Sequence, residues 1–451
     1  MSHVQGKAMR LFELKEAYQQ KRLTPRELVA HIRETIKAYQ YNPIWIYCLN
    51  DKELEPYLAR LETMNSESLP LYGIPFAIKD NIDLAGIPTT AACPDFSYIP
   101  QTSAYVVECL IAAGAIPIGK TNLDQFATGL VGTRSAYGVC QNSIDATYIA
   151  GGSSSGSALS VALDMVTFSL GTDTAGSGRV PAAFNNLVGF KPTKGLVSTS
   201  GLVPACRSLD CITLFCKKTN EAKVLFDLMA SYDKHDVYAR KFLQIDKSFS
   251  TPFCIGVPYE EQLEFFGDKE AEELFHKVVV RFQRLGITVK RIDFSTFKNA
   301  ATLLYDGPWV AERYVATKEL FEASPSSFLE VTRSIISQGK TKSAGDYFEA
   351  EYALKSYQRK AEEIFENVDF MLTPTTGTIF TIKEVEENPI ELNTKLGYYT
   401  NFMNLLDLCA CALPAGVRSN KLPFGITLFS TAFNDKILLE VAAYYERNFN
   451  E

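Results

Sequence analysis

Residues 151–157 read Gly-Gly-Ser-Ser-Ser-Gly-Ser, and residues 171–179 read Gly-Thr-Asp-Thr-Ala-Gly-Ser-Gly-Arg. These two stretches are rich in glycine and hydroxyl groups, and they lie on either side of one short apolar segment. Upstream, Lys79 ends the apolar run Phe-Ala-Ile-Lys. No histidine lies within or between these elements. A serine nucleophile here would therefore need a base other than imidazole, and lysine is the obvious candidate.

Histidine is scarce in the whole chain. Its four histidines stand at positions 3, 31, 235 and 276, and none is flanked by turn residues that would direct it into a pocket. A lysine can act as the base if burial lowers its pKa from the usual value of about 10.4. The place of Lys79 at the end of an apolar strand favours such burial. The alternative is an ordinary strand-end lysine that pairs with Asp80 or Asp83.

The stretch 173–177 also offers backbone N–H groups to a developing negative charge. Acyl transfer puts that charge on a carbonyl oxygen, and N–H groups stabilise it. Small residues let a substrate approach the main chain, and Pro181 opens a predicted helix whose N-terminus would face the same place. A plain turn or a phosphate-binding loop are the alternatives, although the Gly-x-x-x-x-Gly-Lys-Ser/Thr spacing of a phosphate loop is absent.

Composition excludes several classes of function. The 451 residues are 46% hydrophobic and carry a formal net charge of −7, which would repel a phosphate backbone and argues against nucleic-acid binding. No apolar run reaches the roughly 18 residues of a membrane helix, and residues 1–10 lack the apolar core of a signal peptide. We predict a cytoplasmic protein without a membrane partner. None of the ten cysteines forms a Cys-x-x-Cys pair, so we expect reduced core cysteines instead of a zinc site.

The pattern of apolar residues predicts one continuous α/β domain over the whole chain. Residues 1–64 form a predicted helical segment. From 69 to 216, short apolar runs alternate with Gly/Pro/Ser/Thr turns, which is typical of a layered fold around a large sheet. The remainder, 217–451, continues the α/β domain. Within it we predict a helix at 401–408 and another near 305–320.

Three linked motifs carry a resemblance to a known family. Residues 73–80 read Gly-Ile-Pro-Phe-Ala-Ile-Lys-Asp, 151–156 read Gly-Gly-Ser-Ser-Ser-Gly, and 171–181 run from Gly-Thr-Asp-Thr to Arg-Val-Pro. In this order they resemble the amidase signature family of serine amidohydrolases, with weaker similarity along most of the chain. The resemblance implies an α/β/α sandwich around a large mixed, mostly parallel sheet.

The resemblance also implies a Ser-Ser-Lys triad. Ser177 would be the acylated nucleophile, and Ser153 would pass its proton to Lys79. In the family the bridging serine follows a cis peptide bond, which here would join Gly152 to Ser153.

The implied oxyanion hole consists of the backbone N–H groups of Thr174, Ala175 and Gly176. One departure from the family is visible in this loop. Residues 175–179 read Ala-Gly-Ser-Gly-Arg, where the usual form is Gly-Gly-Ser-Ile-Arg. Because the serine is retained, the departure concerns the subfamily and leaves the expected activity unchanged.

Residues 179–186 and 203–210 are similar to those of allophanate hydrolases, enzymes of urea and nitrogen catabolism. Their substrate is a small anionic amide, a urea that carries a carboxylate. Tyr305 and Arg313 match the substrate-binding pair of that family, and a hydroxyl plus a guanidinium suits a carboxylate. Asp-Gly-Pro at 306–308 predicts a helix start that places Arg313 in the second turn. Without the resemblance, a packed tyrosine and a solvated arginine would be the expectation.

The resemblance covers an amidase domain and implies a homodimer that uses no metal or organic cofactor. Related bacterial enzymes carry a further C-terminal domain, and fungal forms are fused to a carboxylase. Because this sequence resembles the amidase part alone, we expect the carboxylated product to be processed spontaneously or by a separate protein. Three other hypotheses stay open: a general small-amide or carbamate amidase, the amidase subunit of a tRNA-dependent amidotransferase, and a non-catalytic relative used for binding.

Overall fold

The computed structural model describes residues 10–242 and 253–448, which contain one eleven-stranded β-sheet. The order of the strands across it is β1-β3-β2-β4-β6-β5-β10-β11-β9-β7-β8. The strands, in chain order, are β1 Trp45–Cys48, β2 Pro75–Lys79, β3 Ile116–Thr121, β4 Phe168–Thr172, β5 Val188–Lys191, β6 Ile212–Cys216, β7 Cys254–Pro258, β8 Thr288–Ile292, β9 Phe370–Pro374, β10 Leu408–Val417 and β11 Pro423–Thr431.

Helices flank this sheet, which confirms the predicted α/β class. Among the described residues no helix is both long and apolar enough to span a bilayer. The helices are α1 Leu11–Gln19, α2 Pro25–Ala38, α3 Asp51–Glu62, α4 Tyr105–Ala112, α5 Ser155–Ala162, α6 Val180–Phe184, α7 Thr219–Met229, α8 Lys269–Arg284, α9 Ser295–Thr302, α10 Val310–Ala323, α11 Glu330–Ser337, α12 Ala344–Phe365, α13 Ile382–Glu387, α14 Glu391–Leu396 and α15 Asp435–Arg447.

The sheet is mixed, as predicted, but the expectation that it is mostly parallel is wrong. Of the ten pairings between neighbouring strands, four are parallel and six are antiparallel. The parallel pairs form two separate groups, β3-β2-β4 and β9-β7-β8. Between them β6, β5, β10 and β11 run antiparallel, and β10 and β11 are joined by a short hairpin, which requires antiparallel strands.

Two predicted elements differ from the structure. Inside the predicted N-terminal helical segment, Trp45–Cys48 is an edge strand antiparallel to β3. Aromatic and β-branched residues in this run favour a strand. The predicted helix 401–408 is instead a series of turns that leads into β10. Asp407 has a φ of 53°, outside the right-handed helical region, and the Asn404 side chain bonds to other loops instead of remaining in a helix.

The sheet brings two of the sequence motifs to one edge. Strand β2 pairs in parallel with β4, so the carboxyl ends of the two strands meet at the same edge. Lys79 is the last residue of β2 and Thr172 the last of β4, and every residue of both strands is buried. The stretch that contains Ser177 begins directly after β4, and it therefore starts beside Lys79.

Candidate active site

The Lys79 ammonium lies in a pocket of hydroxyl groups. Its Nζ is 2.7 Å from Ser153 Oγ, 2.9 Å from Ser154 Oγ and 2.7 Å from Thr172 Oγ1. The side chain is fully buried. The alternative expectation, a pair with Asp80, does not hold, because Asp80 pairs with Lys120 at 3.0 Å.

Burial lowers the pKa of Lys79 to about 7. The carboxylates of Asp124, Asp173 and Asp210 act against this shift, and the charge of Arg313 adds to it. Desolvation penalises the charged amine, because the three surrounding hydroxyl groups replace the hydration of an ammonium only in part. A large share of the amine is therefore neutral near pH 7, which a proton acceptor requires.

Ser153 is held by the backbone on both of its sides. The Gly152–Ser153 peptide bond is cis, as the resemblance implies. The carbonyl of Ser153 accepts a hydrogen bond from the Asp124 N–H at 3.0 Å, and the Gly152 N–H donates to Leu130 at 2.8 Å. A Cβ on Gly152 would lie 2.1 Å from Asp124 Oδ2, so only glycine fits there. Since α5 begins two residues later, Ser153 is fixed against Lys79.

The Ser177 hydroxyl lies in the same region but is not hydrogen-bonded to Ser153. The residue is 3% exposed, and its Oγ donates to the Gly129 carbonyl at 3.4 Å. The structure therefore brings all three predicted triad positions to one edge of the sheet. It joins Ser153 directly to Lys79, whereas Ser177 rests against a neighbouring loop.

A buried ion pair shapes the loop around Ser177. Arg179 donates to both carboxylate oxygens of Asp173, at 2.8 and 2.9 Å, and both side chains are fully buried. The Gly178 N–H also donates to Asp173 at 3.1 Å.

Two residues from other parts of the chain also hold this loop. The Asn404 side chain donates to the Asp173 carbonyl at 2.6 Å, and Asp210 accepts from the Thr174 hydroxyl at 2.5 Å. Asp210 thus braces this loop, a role that sequence reasoning missed.

Four backbone N–H groups in this loop are available as donors. Those of Thr174, Ala175, Gly176 and Ser177 donate to no acceptor within the described part of the chain. Gly176 has a φ of 140°, and a Cβ there would lie 2.5 Å from Thr400 Oγ1, so the loop conformation requires glycine. Donors of this kind can stabilise an oxyanion.

Tyr305 and Arg313 contact each other, although the helix that carries Arg313 starts later than predicted. Helix α10 begins at Val310, so Arg313 lies in its first turn instead of its second. Arg313 Nη2 donates to the Tyr305 hydroxyl at 3.2 Å. The guanidinium is buried, with 2% exposure, which contradicts the alternative of a solvated arginine.

Arg313 reaches the serine region through a loop that sequence reasoning missed. Its Nη1 donates to the Ala127 carbonyl at 3.2 Å and to the Thr128 hydroxyl at 3.0 Å. The next residue, Gly129, accepts from Ser177. Only the glycines of this loop were a local signal, and nothing in the sequence linked them to a serine 48 positions away.

The comparison with protein families agrees with this geometry. The amidase family profile matches residues 29–439. The chain belongs to the amidase family. This confirms the resemblance stated from the motifs, together with the predicted enzyme class, a hydrolase of amide C–N bonds. In the described ranges, no group of three or more His, Cys, Asp or Glu side chains is arranged to hold a metal ion.

Three similar proteins illustrate which members of the family this chain resembles. The urea amidolyase of Saccharomyces cerevisiae is 45% identical over 409 residues, which cover 90% of this chain and 22% of that protein. A glutamyl-tRNA(Gln) amidotransferase subunit from a Picosynechococcus species is 33% identical, with 84% of each chain covered. Among solved structures, Kluyveromyces lactis allophanate hydrolase superposes with a TM-score of 0.92 and 41% identity, covering 99% of this chain and 72% of that one. The chain thus spans about a fifth of the length of the urea amidolyases that it matches, at 22%.

Proposed function

We propose that this amidase acts on allophanate, a urea that carries a carboxylate, and releases ammonia from its terminal amide through an acyl-Ser177 intermediate. The relatives named urea amidolyase and allophanate hydrolase support this choice of substrate. The observation that carries the proposal is the buried guanidinium of Arg313, which takes part in no ion pair of the described residues.

A buried arginine without a carboxylate partner suits an anionic ligand. Desolvation of a charge is costly unless an opposite charge compensates it. Arg313 donates to a carbonyl, a hydroxyl and the Tyr305 phenol, all of them neutral, and its buried Nε has no acceptor. A substrate carboxylate would supply the missing charge. The Tyr305 hydroxyl adds a second donor beside it.

Lys79 would act as the base in its neutral form. Its pKa of about 7 and its 2.7 Å contact with Ser153 support this role. Before attack, the O–H bond of Ser177 rotates from the Gly129 carbonyl toward Ser153, while Oγ keeps its place beside residue 129. Ser153 then accepts the Ser177 proton while it passes its own proton to Lys79.

The reaction would proceed in two balanced halves. Ser177 Oγ attacks the amide carbon, and the carbonyl electron pair moves onto oxygen, where the N–H groups of 174–177 stabilise it. The C–N bond then breaks, the proton on Lys79 returns through Ser153 to the nitrogen, and ammonia leaves. Water attacks the acyl ester by the same proton path. This step frees Ser177 and releases the dicarboxylated second product.

Ammonia release from a panel of small amides tests this proposal. We expect turnover of allophanate to exceed that of acetamide, malonamide and biuret, and Arg313→Ala to lower selectively the turnover of allophanate. If neutral amides are turned over as fast as allophanate, the protein is a general small-amide amidase instead.

A second candidate is the amidase subunit of a tRNA-dependent amidotransferase. The 33% identity to such a subunit over 84% of each chain favours it. In that case the protein should co-purify with stable partner subunits and release ammonia from glutamine. Arg313→Ala would then leave allophanate turnover as low as in the unmodified protein.

We further propose that residues 1–451 fold as one domain and that the protein is a cytoplasmic homodimer. The resemblance to allophanate hydrolases supports the homodimer. Light scattering coupled to size-exclusion chromatography should give twice the protomer mass, and a monomer mass at micromolar concentration would contradict the proposal.

A further inference from the structure

Within residues 10–242 and 253–448, Arg134 is a second buried arginine that forms no ion pair. Arg134 is 4% exposed. Its Nη1 donates to the Thr128 carbonyl at 3.0 Å and its Nη2 to the Pro389 carbonyl at 2.5 Å, while its buried Nε has no acceptor. A guanidinium stays protonated in proteins. Arg134 is therefore a permanent charge that backbone carbonyls hold inside the protein.

Arg134 and Arg313 converge on one residue. Arg313 donates to the hydroxyl of Thr128 at 3.0 Å, and Arg134 donates to its carbonyl. The following residue, Gly129, accepts the hydrogen bond of Ser177 through its own carbonyl. The nucleophile and both guanidinium groups are thus attached to one short segment, residues 127–129.

This segment needs support from its surroundings. Phe126 and Ala127 have φ values of 51° and 52°, and Gly129 has a φ of 153°. Positive φ is unfavourable for residues with a Cβ. The segment also packs closely on Arg134, because a Cβ on Gly129 would lie 3.1 Å from its Nη1. Without that guanidinium, the Thr128 carbonyl loses a charged donor.

We propose that Arg134 is a positioning residue: by holding the Thr128 carbonyl, it fixes the peptide between Thr128 and Gly129, and with it the position of the Gly129 carbonyl, against which the Ser177 Oγ rests. This inference rests on the proposed role of Ser177 as nucleophile. A substrate carboxylate would compete for the donors of Arg313, whereas both Nη groups of Arg134 remain on backbone carbonyls. Arg134 therefore keeps the segment in place when substrate binds.

The test compares Arg134→Gln with Arg418→Gln. Arg418 is also a buried arginine that donates to a backbone carbonyl, that of Pro423. It pairs in addition with Asp268 at 3.2 Å, but it has no hydrogen bond to residues 127–129. The probe is phenylmethanesulfonyl fluoride, which carries no charge and sulfonylates a serine with loss of fluoride and of the hydroxyl proton. Mass spectrometry follows the modification of Ser177, and steady-state kinetics on allophanate gives kcat and KM separately.

We expect both the sulfonylation of Ser177 and kcat to fall about 10- to 100-fold in Arg134→Gln, the effect of a misplacement of about 1 Å. KM should change far less. Arg418→Gln should lower the Tm but leave the sulfonylation rate unchanged. Arg134→Lys should recover part of the rate, because an ammonium can still donate to the Thr128 carbonyl. A purely structural role of Arg134 would lower the Tm without changing the sulfonylation rate below it.

Sulfonylation of Arg134→Gln at the unmodified rate overturns the inference. If this variant does not fold, Arg134→Met takes its place, because methionine keeps an aliphatic stem and removes the donor to the Thr128 carbonyl: slower sulfonylation supports the inference and an unchanged rate overturns it. Should the unmodified protein fail to hydrolyse allophanate, the proposed substrate is wrong. The difference in sulfonylation between the variants then still reports on Arg134.

Discussion

Lys79 Nζ lies 2.7 Å from Ser153 Oγ, and the two side chains approach each other across 74 positions of sequence. Lys79 is the last residue of strand β2, and Ser153 stands two residues before helix α5. Neighbouring groups complete the pocket, since Ser154 Oγ is 2.9 Å and Thr172 Oγ1 is 2.7 Å from the same nitrogen. Only one of these hydroxyls is proposed to carry a proton, and this can be tested.

Ser153→Ala and Ser154→Ala form a matched pair, because both remove one hydroxyl from Lys79. We expect Ser153→Ala to lower kcat by about 100- to 10,000-fold, the usual contribution of a proton-transfer group. The Ser154 hydroxyl also bonds to the Thr172 carbonyl at 3.1 Å, so its loss should mainly affect stability. Ammonia release by the two variants checks this prediction. Equal losses of kcat would show that Ser153 is not the proton carrier.

The rate of hydrolysis should rise with pH through the pKa of Lys79. Burial lowers that pKa to about 7, and only the neutral amine can accept a proton. We expect kcat/KM for allophanate to increase tenfold per pH unit below pH 7 and to level off above it. Lys79→Ala should lose most activity with the fold intact. Near-normal rates in Lys79→Ala would exclude the proposed triad.

Arg313→Gln should separate anionic from neutral substrates. The variant keeps hydrogen-bonding capacity but removes the charge, and a hydrogen bond to a charged group contributes roughly 1.5 to 3 kcal/mol. We expect KM for allophanate to rise about 10- to 100-fold, with little change for malonamide. Tyr305→Phe should also raise KM for allophanate, by a smaller factor. A uniform effect on both substrates would mean that Arg313 does not recognise a carboxylate.

The buried pair of Asp173 and Arg179 should be sensitive to the loss of one partner. Arg179→Met leaves a fully buried carboxylate without its bidentate donor, and breaking such a pair costs about 3 to 5 kcal/mol of unfolding free energy. Urea unfolding measures this loss. Removing the exposed pair Lys383–Glu387 serves as the control, with an expected change below about 1 kcal/mol. A similar small change in Arg179→Met would contradict the prediction.

The three triad positions were predicted from the resemblance of three sequence motifs to a known family. Lys79, Ser153 and Ser177 each stand in a stretch whose turn residues and apolar neighbours are visible in the sequence, and the structure brings them to one edge of the sheet. The relative directions of the strands could not be predicted from the sequence, because buried strands have similar apolar runs in parallel and antiparallel pairs. The antiparallel centre of the sheet depends on pairings such as β5 with β10, more than 200 positions apart.

Contacts made by unremarkable residues could not be predicted. The apolar pattern of residues 402–406 favours a helix, but the Asn404 side chain bonds to the carbonyls of Asp173 and Leu209 instead. The hydrogen bond of Ser177 to the Gly129 carbonyl likewise joins two loops that are far apart in the sequence. Each depends on where two distant loops meet, and that position follows from packing of the whole sheet.

The free energy of unfolding should depend on pH through the titration of Lys79. Its pKa is about 7 in the folded state and about 10.4 when unfolded. Between these values the unfolded state binds a proton that the folded state has released, so folding becomes more favourable as pH rises. Below pH 7 both states are protonated, and the folded state contains a buried charge. Relative to Lys79→Met, the unmodified protein should therefore gain up to about 1.4 kcal/mol per pH unit from pH 7 to 10.

Urea unfolding of both proteins at pH 6, 7, 8 and 9 measures this difference, in which the titration of all other groups cancels. Lys383→Met is the control, since the Lys383 side chain is 84% exposed and should give the same difference at every pH. A pH-independent difference for Lys79→Met as well would mean that the buried amine is still protonated in the folded state near neutral pH. Lys79 could not then accept the Ser153 proton, and the proposed base would have to be another group.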